Sequence, residues 1–255
     1  LIIKYPQWYD RFHLFGYDPP RMSAKFEKVW VGTEVRNPRT RRMGFVQPSE
    51  GYINFRWLTA VAGPKVEGAW FDHIECTAQN FVDQAWQSVL AGARELTLFH
   101  LGDLLEGHPG HELFLRDLPE LTKLASEIRG AKVDGVAFYK PPGSESSGNM
   151  YLMDYSAMLG LPVVPTAVYP AEAKVAVLGV QALSDPQILS RIRAHLAHGA
   201  TIAVTPEFLR KADPALRQMA SVSVSSEAVP ETVSLARAGK REMSLTAPLE
   251  IDSGL

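Results

Sequence analysis

The sequence VEGAWFDHIECTAQNFVDQAWQSVLAGARELTLFHL, residues 66–101, decides the fold. Two apolar runs, each predicted to be a strand, flank a segment whose large apolar residues recur at helical spacing. Thr77 is suited to cap the amino terminus of that helix, and Gly92 is suited to follow its last turn. A strand, a helix and a second strand in this order are typical of a parallel sheet with helical crossovers.

The same alternation extends over the first 130 residues of the chain and predicts four parallel strands. The strands are predicted at residues 1–5, 28–34, 66–75 and 95–101, and the helices at 52–61, 78–91 and 111–130. In the last helix, Pro119 is expected to mark a break or kink. Four such units are half of a (β/α)8 barrel. Half a barrel would leave the edges of its sheet unpaired, which is one reason to expect that further barrel strands precede these. The sequence also begins without methionine inside an apolar run, so a fragment of a longer protein is expected.

A polar loop rich in Pro, Gly and Ser, residues 140–149, follows a fifth predicted strand. Further strands and helices then alternate, which predicts a smaller flavodoxin-like α/β domain over residues 131–210. The predicted elements there are strands at 133–139, 162–169, 174–183 and 200–206, and helices at 150–160 and 185–199. The barrel half is assigned to residues 1–130. Residues 211–255 are predicted to form a tail or the start of a β domain, with two short strand-like segments at 220–225 and 242–251. The second domain has no Gly-rich phosphate loop and no nucleophile elbow, which favours a structural or assembly role.

The composition is that of an ordinary globular protein, with 255 residues of which 46% are apolar and 21% charged. A formal net charge of −2 gives no general attraction to nucleic acid or to anionic membranes, and neither is expected as a partner. No apolar run approaches the ~18 residues of a membrane span. The single cysteine, Cys76, excludes an internal disulfide and favours a reducing compartment such as the cytoplasm. Cys76 itself is predicted to be a small buried apolar residue rather than a reactive thiol.

Catalytic groups of a (β/α)8 barrel lie where its strands end, because only that face is open to solvent. Glu34 and Glu75 close the second and third predicted strands. Strand alternation would place His73 and Glu75 on one face and Asp72 on the other. A purely structural carboxylate remains the alternative for both glutamates.

Aromatic residues near the first two strand ends suggest a sugar cleft, in which rings stack on pyranose faces. Trp8, Tyr9 and Trp30 are the candidates, and packing of the loop on its own barrel is the alternative. Residues 34–44 contain four arginines, which indicate either an anion site or a solvated loop. His100 and His108, with Asp103 between them, lack the spacing of a characteristic metal site, so no metal and no cofactor is predicted.

Two segments resemble a known family of glycoside hydrolases. FVDQAWQSVLAGARELTLFHLGDL, residues 81–104, resembles the seventh helix and eighth strand of family 42 type β-galactosidase barrels. Residues 151–206 resemble the amidotransferase-like trimerisation domain that follows those barrels. The resemblance implies a β-galactosidase-like enzyme that acts on a carbohydrate substrate, hydrolyses O-glycosidic bonds with retention and assembles as a homotrimer.

On this resemblance the four strands are the fifth to eighth of the barrel. Glu75 then takes the position of the nucleophile, and the acid/base residue lies before Leu1, so the chain by itself is expected to be inactive. The predicted substrate contacts are Trp8, Tyr9, Trp30, Glu34, Asp72 and His73. Asp72 is the alternative functional carboxylate. The alternative functions are a non-catalytic carbohydrate-binding or assembly protein and an amidotransferase, and the missing cysteine nucleophile argues against the latter.

Overall fold

The computed structural model describes residues 1–37, 47–100, 102, 105–145 and 149–220, together with the backbone of residues 230–238 and 241–252. The chain divides into two compact units, Leu1–Val133 and Asp134–Leu255. Each contains a four-stranded parallel sheet and helices, which confirms the predicted α/β class. None of the helices described is long and apolar enough to cross a membrane.

The sheet of the first unit contains strands β1 (Ile2–Tyr5), β2 (Lys28–Gly32), β3 (Val66–Phe71) and β4 (Glu95–Leu98). All four are parallel and lie in chain order, β1-β2-β3-β4. The helices of this unit are α1 (Pro19–Ala24), α2 (Glu50–Ala62), α3 (Ala78–Leu90) and α4 (Pro109–Glu127). Short 3-10 turns occur at Phe12–Phe15 and Gly63–Lys65. Strands that are adjacent in the chain are therefore adjacent in the sheet.

Helix α3 has the boundaries that its local sequence predicts. The Thr77 hydroxyl accepts a hydrogen bond from the Asn80 N–H at 3.1 Å, and the Asn80 side chain accepts one from the Thr77 N–H at 3.3 Å. This reciprocal pair is a capping box, which satisfies two backbone donors that the first helical turn leaves unpaired. At the other end Gly92 adopts a φ of +99°, a conformation that only glycine takes up readily.

Helix α4 continues through Pro119, so the break expected there is absent. Proline removes one backbone hydrogen bond, but apolar packing on both sides of it outweighs that loss. Phe114 and Leu121 are buried in one cluster with Phe71 of β3 and Phe81 of α3. This cluster fills the space between one face of the sheet and the helices α3 and α4.

The second unit contains strands β5 (Val136–Tyr139), β6 (Val163–Thr166), β7 (Val175–Leu178) and β8 (Thr201–Val204). They are parallel in the order β6-β5-β7-β8. The helices are α5 (Leu152–Met158), α6 (Ile188–Ala197), α7 (Pro206–Lys211) and α8 (Pro214–Arg217). The strand predicted over residues 174–183 is shorter than expected, because a 3-10 turn at Val180–Ser184 follows β7.

Residues beyond α8 include an antiparallel pair of strands. β9 (Pro230–Ala238) and β10 (Arg241–Asp252) pair with each other. The strand expected near residues 242–251 is therefore present. The other short strand expected in this region, at 220–225, lies almost wholly outside the described residues.

Candidate active site

Acidic residues follow two neighbouring strands of the first sheet. Glu34 lies two residues after β2, and Asp72 immediately follows β3. Because β2 and β3 are parallel and paired, their carboxyl ends meet at the same edge of the sheet. The structure thus brings together two of the carboxylates that the sequence singles out.

Arg36 joins these two carboxylates. Its Nη2 donates to Glu34 Oε1 at 2.9 Å and to Asp72 Oδ2 at 3.0 Å, while Nη1 donates to Asp72 Oδ1. All three residues are buried: Glu34 is 6% exposed, Arg36 is 7% exposed and Asp72 is 2% exposed. Buried charges are costly unless they are paired and hydrogen-bonded, and the planar guanidinium can satisfy both carboxyl groups at once. We call Glu34, Arg36 and Asp72 the carboxyl–arginine cluster.

The two carboxyl groups of the cluster differ in their surroundings. Burial, the largest cause, and the nearby Asp72 carboxyl group together raise the pKa of Glu34 to about 8, against the opposing effect of Arg36. Glu34 therefore carries a proton at neutral pH, whereas both oxygens of Asp72 accept from Arg36. A neutral Glu34 leaves one positive and one negative charge in the cluster, so the buried charges balance.

Helix α3 holds the ends of β2 and β3 together through Gln84. The Gln84 side-chain oxygen accepts from the Val35 N–H at 2.9 Å, and its amide nitrogen donates to the Asp72 carbonyl at 2.8 Å. Gln84 is itself fully buried. One side chain thus satisfies polar backbone groups of both segments that have left the sheet.

Cys76 packs beside the cluster and remains a thiol. Its Sγ lies 3.4 Å from the Val35 carbonyl oxygen, to which the S–H can donate. Burial raises the pKa of Cys76 to about 11, partly offset by Arg36. A thiol that stays protonated is a poor nucleophile, in agreement with the predicted passive role.

Glu75 lies in a turn rather than at the end of a strand, which corrects the predicted extent of β3. The Asp72 carboxylate accepts a hydrogen bond from the Ile74 N–H at 2.8 Å, and this local bond turns the chain just after Phe71. Glu75 adopts a left-handed φ of +56°, and its carbonyl accepts from the Asn37 N–H at 2.8 Å. The face alternation expected for His73 and Glu75 therefore does not apply, because neither residue belongs to the strand.

The remaining predicted substrate contacts lie in different surroundings. The half-buried Trp8 packs against Phe15, with ring centroids 4.7 Å apart. Tyr9 is 1% exposed and packs against Trp57, which favours the packing interpretation, because a stacking platform needs an exposed ring face.

Trp30 and His73 also make contacts outside the carboxyl–arginine cluster. The Trp30 indole donates to Glu95 at 3.0 Å, and the Lys4 ammonium lies 5.3 Å from the Trp30 ring. The His73 ring lies 5.1 Å from that of His108, whose Nδ1 accepts from the Gly110 N–H and caps α4.

The sequence interpretation missed Arg36 and Gln84. Arg36 is one of four arginines in a loop for which the sequence allows a solvated conformation, and for Arg36 that alternative is wrong, because the side chain is buried. Its position two residues after Glu34 was the available signal. The other three arginines fall within residues 38–46, outside the described part of the chain.

Within the part of the chain that the structure describes, no group of three His, Cys, Asp or Glu residues is arranged to hold a metal ion. Asp103, which the sequence places between His100 and His108 as a possible metal ligand, lies outside the described residues.

Comparison with known proteins shows to which family the first unit is similar. Residues 1–113 match the family described as "Probable glycosyl hydrolase, catalytic domain". An uncharacterized protein of Saccharolobus solfataricus is 26% identical over 113 residues, which cover 42% of this chain and 18% of that protein. The chain thus spans about a fifth of the length of this curated relative. No solved structure matches significantly. The family match supports a glycosidase-like domain in the first unit, built on a parallel α/β sheet.

Proposed function

We propose that the protein is a glycoside hydrolase and that the carboxyl edge of β2 and β3 forms part of its active site. The observation that carries this proposal is the position of Glu34, Asp72 and Glu75 at one sheet edge, within the residues that match a glycosyl hydrolase catalytic domain. Parallel α/β enzymes place their reacting groups at this edge.

The architecture that we propose for the first unit is the second half of a (β/α)8 barrel. Four parallel strands in chain order, with helices between them, support this assignment. For the second unit we propose a flavodoxin-like domain that mediates trimer formation. Its support is the strand order β6-β5-β7-β8, in which the chain adds strands to both sides of the first one.

The reaction that we propose is hydrolysis of β-galactosides with retention of configuration. The Glu75 carboxylate would attack the anomeric carbon and form a glycosyl ester, while a second carboxylic acid protonates the departing glycosidic oxygen. Water, deprotonated by that second group, would then cleave the ester and release the sugar. The two carboxyl groups need a separation of about 5–5.5 Å. On the family resemblance, the second group belongs to a strand that precedes β1 in such barrels, and Trp8, Trp30 and His73 remain candidate sugar contacts.

A second candidate function is a non-catalytic carbohydrate-binding or assembly protein with a hydrolase-like fold. The carboxyl–arginine cluster favours it, because Asp72 uses both oxygens for Arg36 and Glu34 is buried. Both carboxyl groups are hydrogen-bonded to the buried Arg36, as in an ion cluster that has a structural role. Glu75 is the candidate nucleophile that lies outside this cluster.

Hydrolysis of nitrophenyl β-galactoside by the full-length protein distinguishes the two functions. Glu75→Gln should reduce kcat by more than about 10³-fold while the protein stays folded, because the amide is no nucleophile. Glu120→Gln is the matched control, since Glu120 is an exposed residue of α4. Unchanged hydrolysis by Glu75→Gln would remove Glu75 from the mechanism. Folded wild-type protein without activity on a panel of nitrophenyl glycosides would favour the non-catalytic function.

A further inference from the structure

We infer that Arg36 is a positioning residue for Glu75, holding the turn of residues 72–76 against the end of β2. This inference rests on the proposed function, in which Glu75 is the nucleophile. Arg36 is buried and contacts the turn directly, whereas Glu75 is the residue that would meet the substrate. The role assigned to Arg36 is therefore to fix the location of Glu75.

Three carbonyl groups of the turn are bonded from outside it. The Asp72 carbonyl accepts from Gln84 at 2.8 Å, the Ile74 carbonyl from Arg36 Nη1 at 3.1 Å, and the Glu75 carbonyl from the Asn37 N–H at 2.8 Å. Two of these bonds come from consecutive residues, Arg36 and Asn37. The segment that follows β2 thus supports the turn that follows β3 on both sides of Glu75.

The backbone of Glu75 needs such support. A non-glycine residue in the left-handed region is strained, because its Cβ crowds the following carbonyl. A conformation of this kind persists where the surrounding bonds define it. Without the bonds from Arg36 and Asn37, the turn would relax toward an ordinary backbone conformation and the Glu75 carboxylate would move with it.

Lysine cannot replace Arg36 in this role. The guanidinium donates to Glu34, to both oxygens of Asp72 and to the Ile74 carbonyl from two nitrogen atoms held in one plane. A lysine ammonium keeps the charge but reaches these acceptors from a single nitrogen atom. Arg36→Lys should therefore preserve charge balance while it loosens the turn. A displacement of about 1 Å of a reacting group can lower a rate by ~10².

The test measures how fast full-length protein is inactivated by a dinitrophenyl 2-deoxy-2-fluoro-β-galactoside. In this reaction the Glu75 oxygen bonds to the anomeric carbon, dinitrophenolate leaves with the electron pair of the broken bond, and the fluorosugar stays attached. Dinitrophenolate release and intact mass report the rate, and thermal melting reports folding. Arg36→Lys should be labelled 10- to 100-fold more slowly than wild type at a similar melting temperature.

Two further variants complete the test. Arg56→Lys is the matched control, because Arg56 also donates to a backbone carbonyl, that of Ala91, but lies away from the turn. It should be labelled at the wild-type rate. Gln84→Met removes a different support of the same turn and should also slow labelling, which covers the case in which Arg36→Lys does not fold.

Wild-type labelling on Glu75 with an unchanged rate in Arg36→Lys would overturn the positioning role and leave the proposed function standing. Wild-type protein that hydrolyses galactosides but takes no label on Glu75 would overturn both. Loss of folding in both Arg36→Lys and Gln84→Met would also overturn the positioning role, since the cluster would then be a requirement of the fold.

Discussion

Arg36 and Asp72 form a bidentate ion pair at the carboxyl ends of β2 and β3, and less than a tenth of the surface of either residue is exposed. The pair joins two residues that are 36 positions apart in the chain. Glu34 completes the cluster as a neutral acid at neutral pH, because burial raises its pKa. This arrangement predicts how the first unit responds to pH and to substitution.

The stability of the first unit should fall as pH rises from about 4.5 to about 8. Burial raises the pKa of Glu34 from 4.5 to about 8, so in this range the folded state keeps a proton that the unfolded state has lost. The stabilisation is complete below about pH 4.5 and is lost as pH approaches about 8. Glu34→Gln, which cannot ionise, should remove this slope. The ionisable groups near Glu34 are Arg36, Asp72 and Cys76.

Tryptophan fluorescence during chemical unfolding measures this effect, because all five tryptophans lie in the first unit. The difference in unfolding free energy between Glu34→Gln and wild type should change with pH, to the advantage of Glu34→Gln at pH 8. If the unfolding free energies of wild type and Glu34→Gln changed in parallel with pH, the result would contradict the raised pKa of Glu34.

Asp72→Asn should destabilise the first unit by about 3–5 kcal/mol, because it removes the carboxylate that accepts from both terminal nitrogens of the buried Arg36 and leaves Glu34 as the acidic partner in the cluster. The same fluorescence measurement applies. Glu120→Gln, an exposed position on α4, is the control and should change stability by less than about 0.5 kcal/mol. A decrease of less than about 1 kcal/mol in the unfolding free energy of Asp72→Asn would indicate that the ion pair contributes little to stability.

Gly68→Ala should also destabilise the first sheet. A Cβ atom at Gly68 would lie 2.4 Å from the Trp30 ring, so the indole would have to leave its place over β3. Such overpacking typically costs about 1–3 kcal/mol. Gly102→Ala is the control, because a Cβ there meets no atom within 4 Å. Equal melting temperatures for the two variants would show that Trp30 moves without cost.

Cys76 should react slowly with a thiol reagent such as dithionitrobenzoate. Burial raises the pKa of Cys76 to about 11, so at pH 8 its thiolate fraction is on the order of 10²-fold below that of a free cysteine with a pKa near 8.5. Guanidinium chloride should restore rapid reaction by unfolding the chain. Rapid reaction of the native protein at pH 8 would contradict the inert thiol.

The elements of this fold that the sequence predicts best are those with local signals. Thr77 and Gly92 bound helix α3 because capping and a left-handed terminus depend on neighbouring residues only. The sequence pattern predicts that β3 ends at residue 75, four residues later than it does, because the pattern does not reveal the turn that the Asp72 side chain makes.

The candidate site was predictable only in part. The rule that reacting groups follow parallel strands finds Glu34 and Glu75, and Asp72 is predicted only as the alternative carboxylate. It does not find Arg36, because the burial of Arg36 depends on a partner 36 residues later in the chain. It does not find Gln84 either, because the position of Gln84 in its helix does not tell which backbone groups the side chain bonds. Long-range pairing of polar side chains is a property of the folded structure rather than of local pattern.

The residue that carries the sugar after reaction with the fluorinated galactoside tests the central proposal most directly. Peptide mass spectrometry of the labelled full-length protein should place the fluorosugar on Glu75, and Glu75→Gln should take up no label. A sugar attached to another carboxylate, Asp72 included, or galactoside hydrolysis without any covalent label would contradict the proposed role of Glu75.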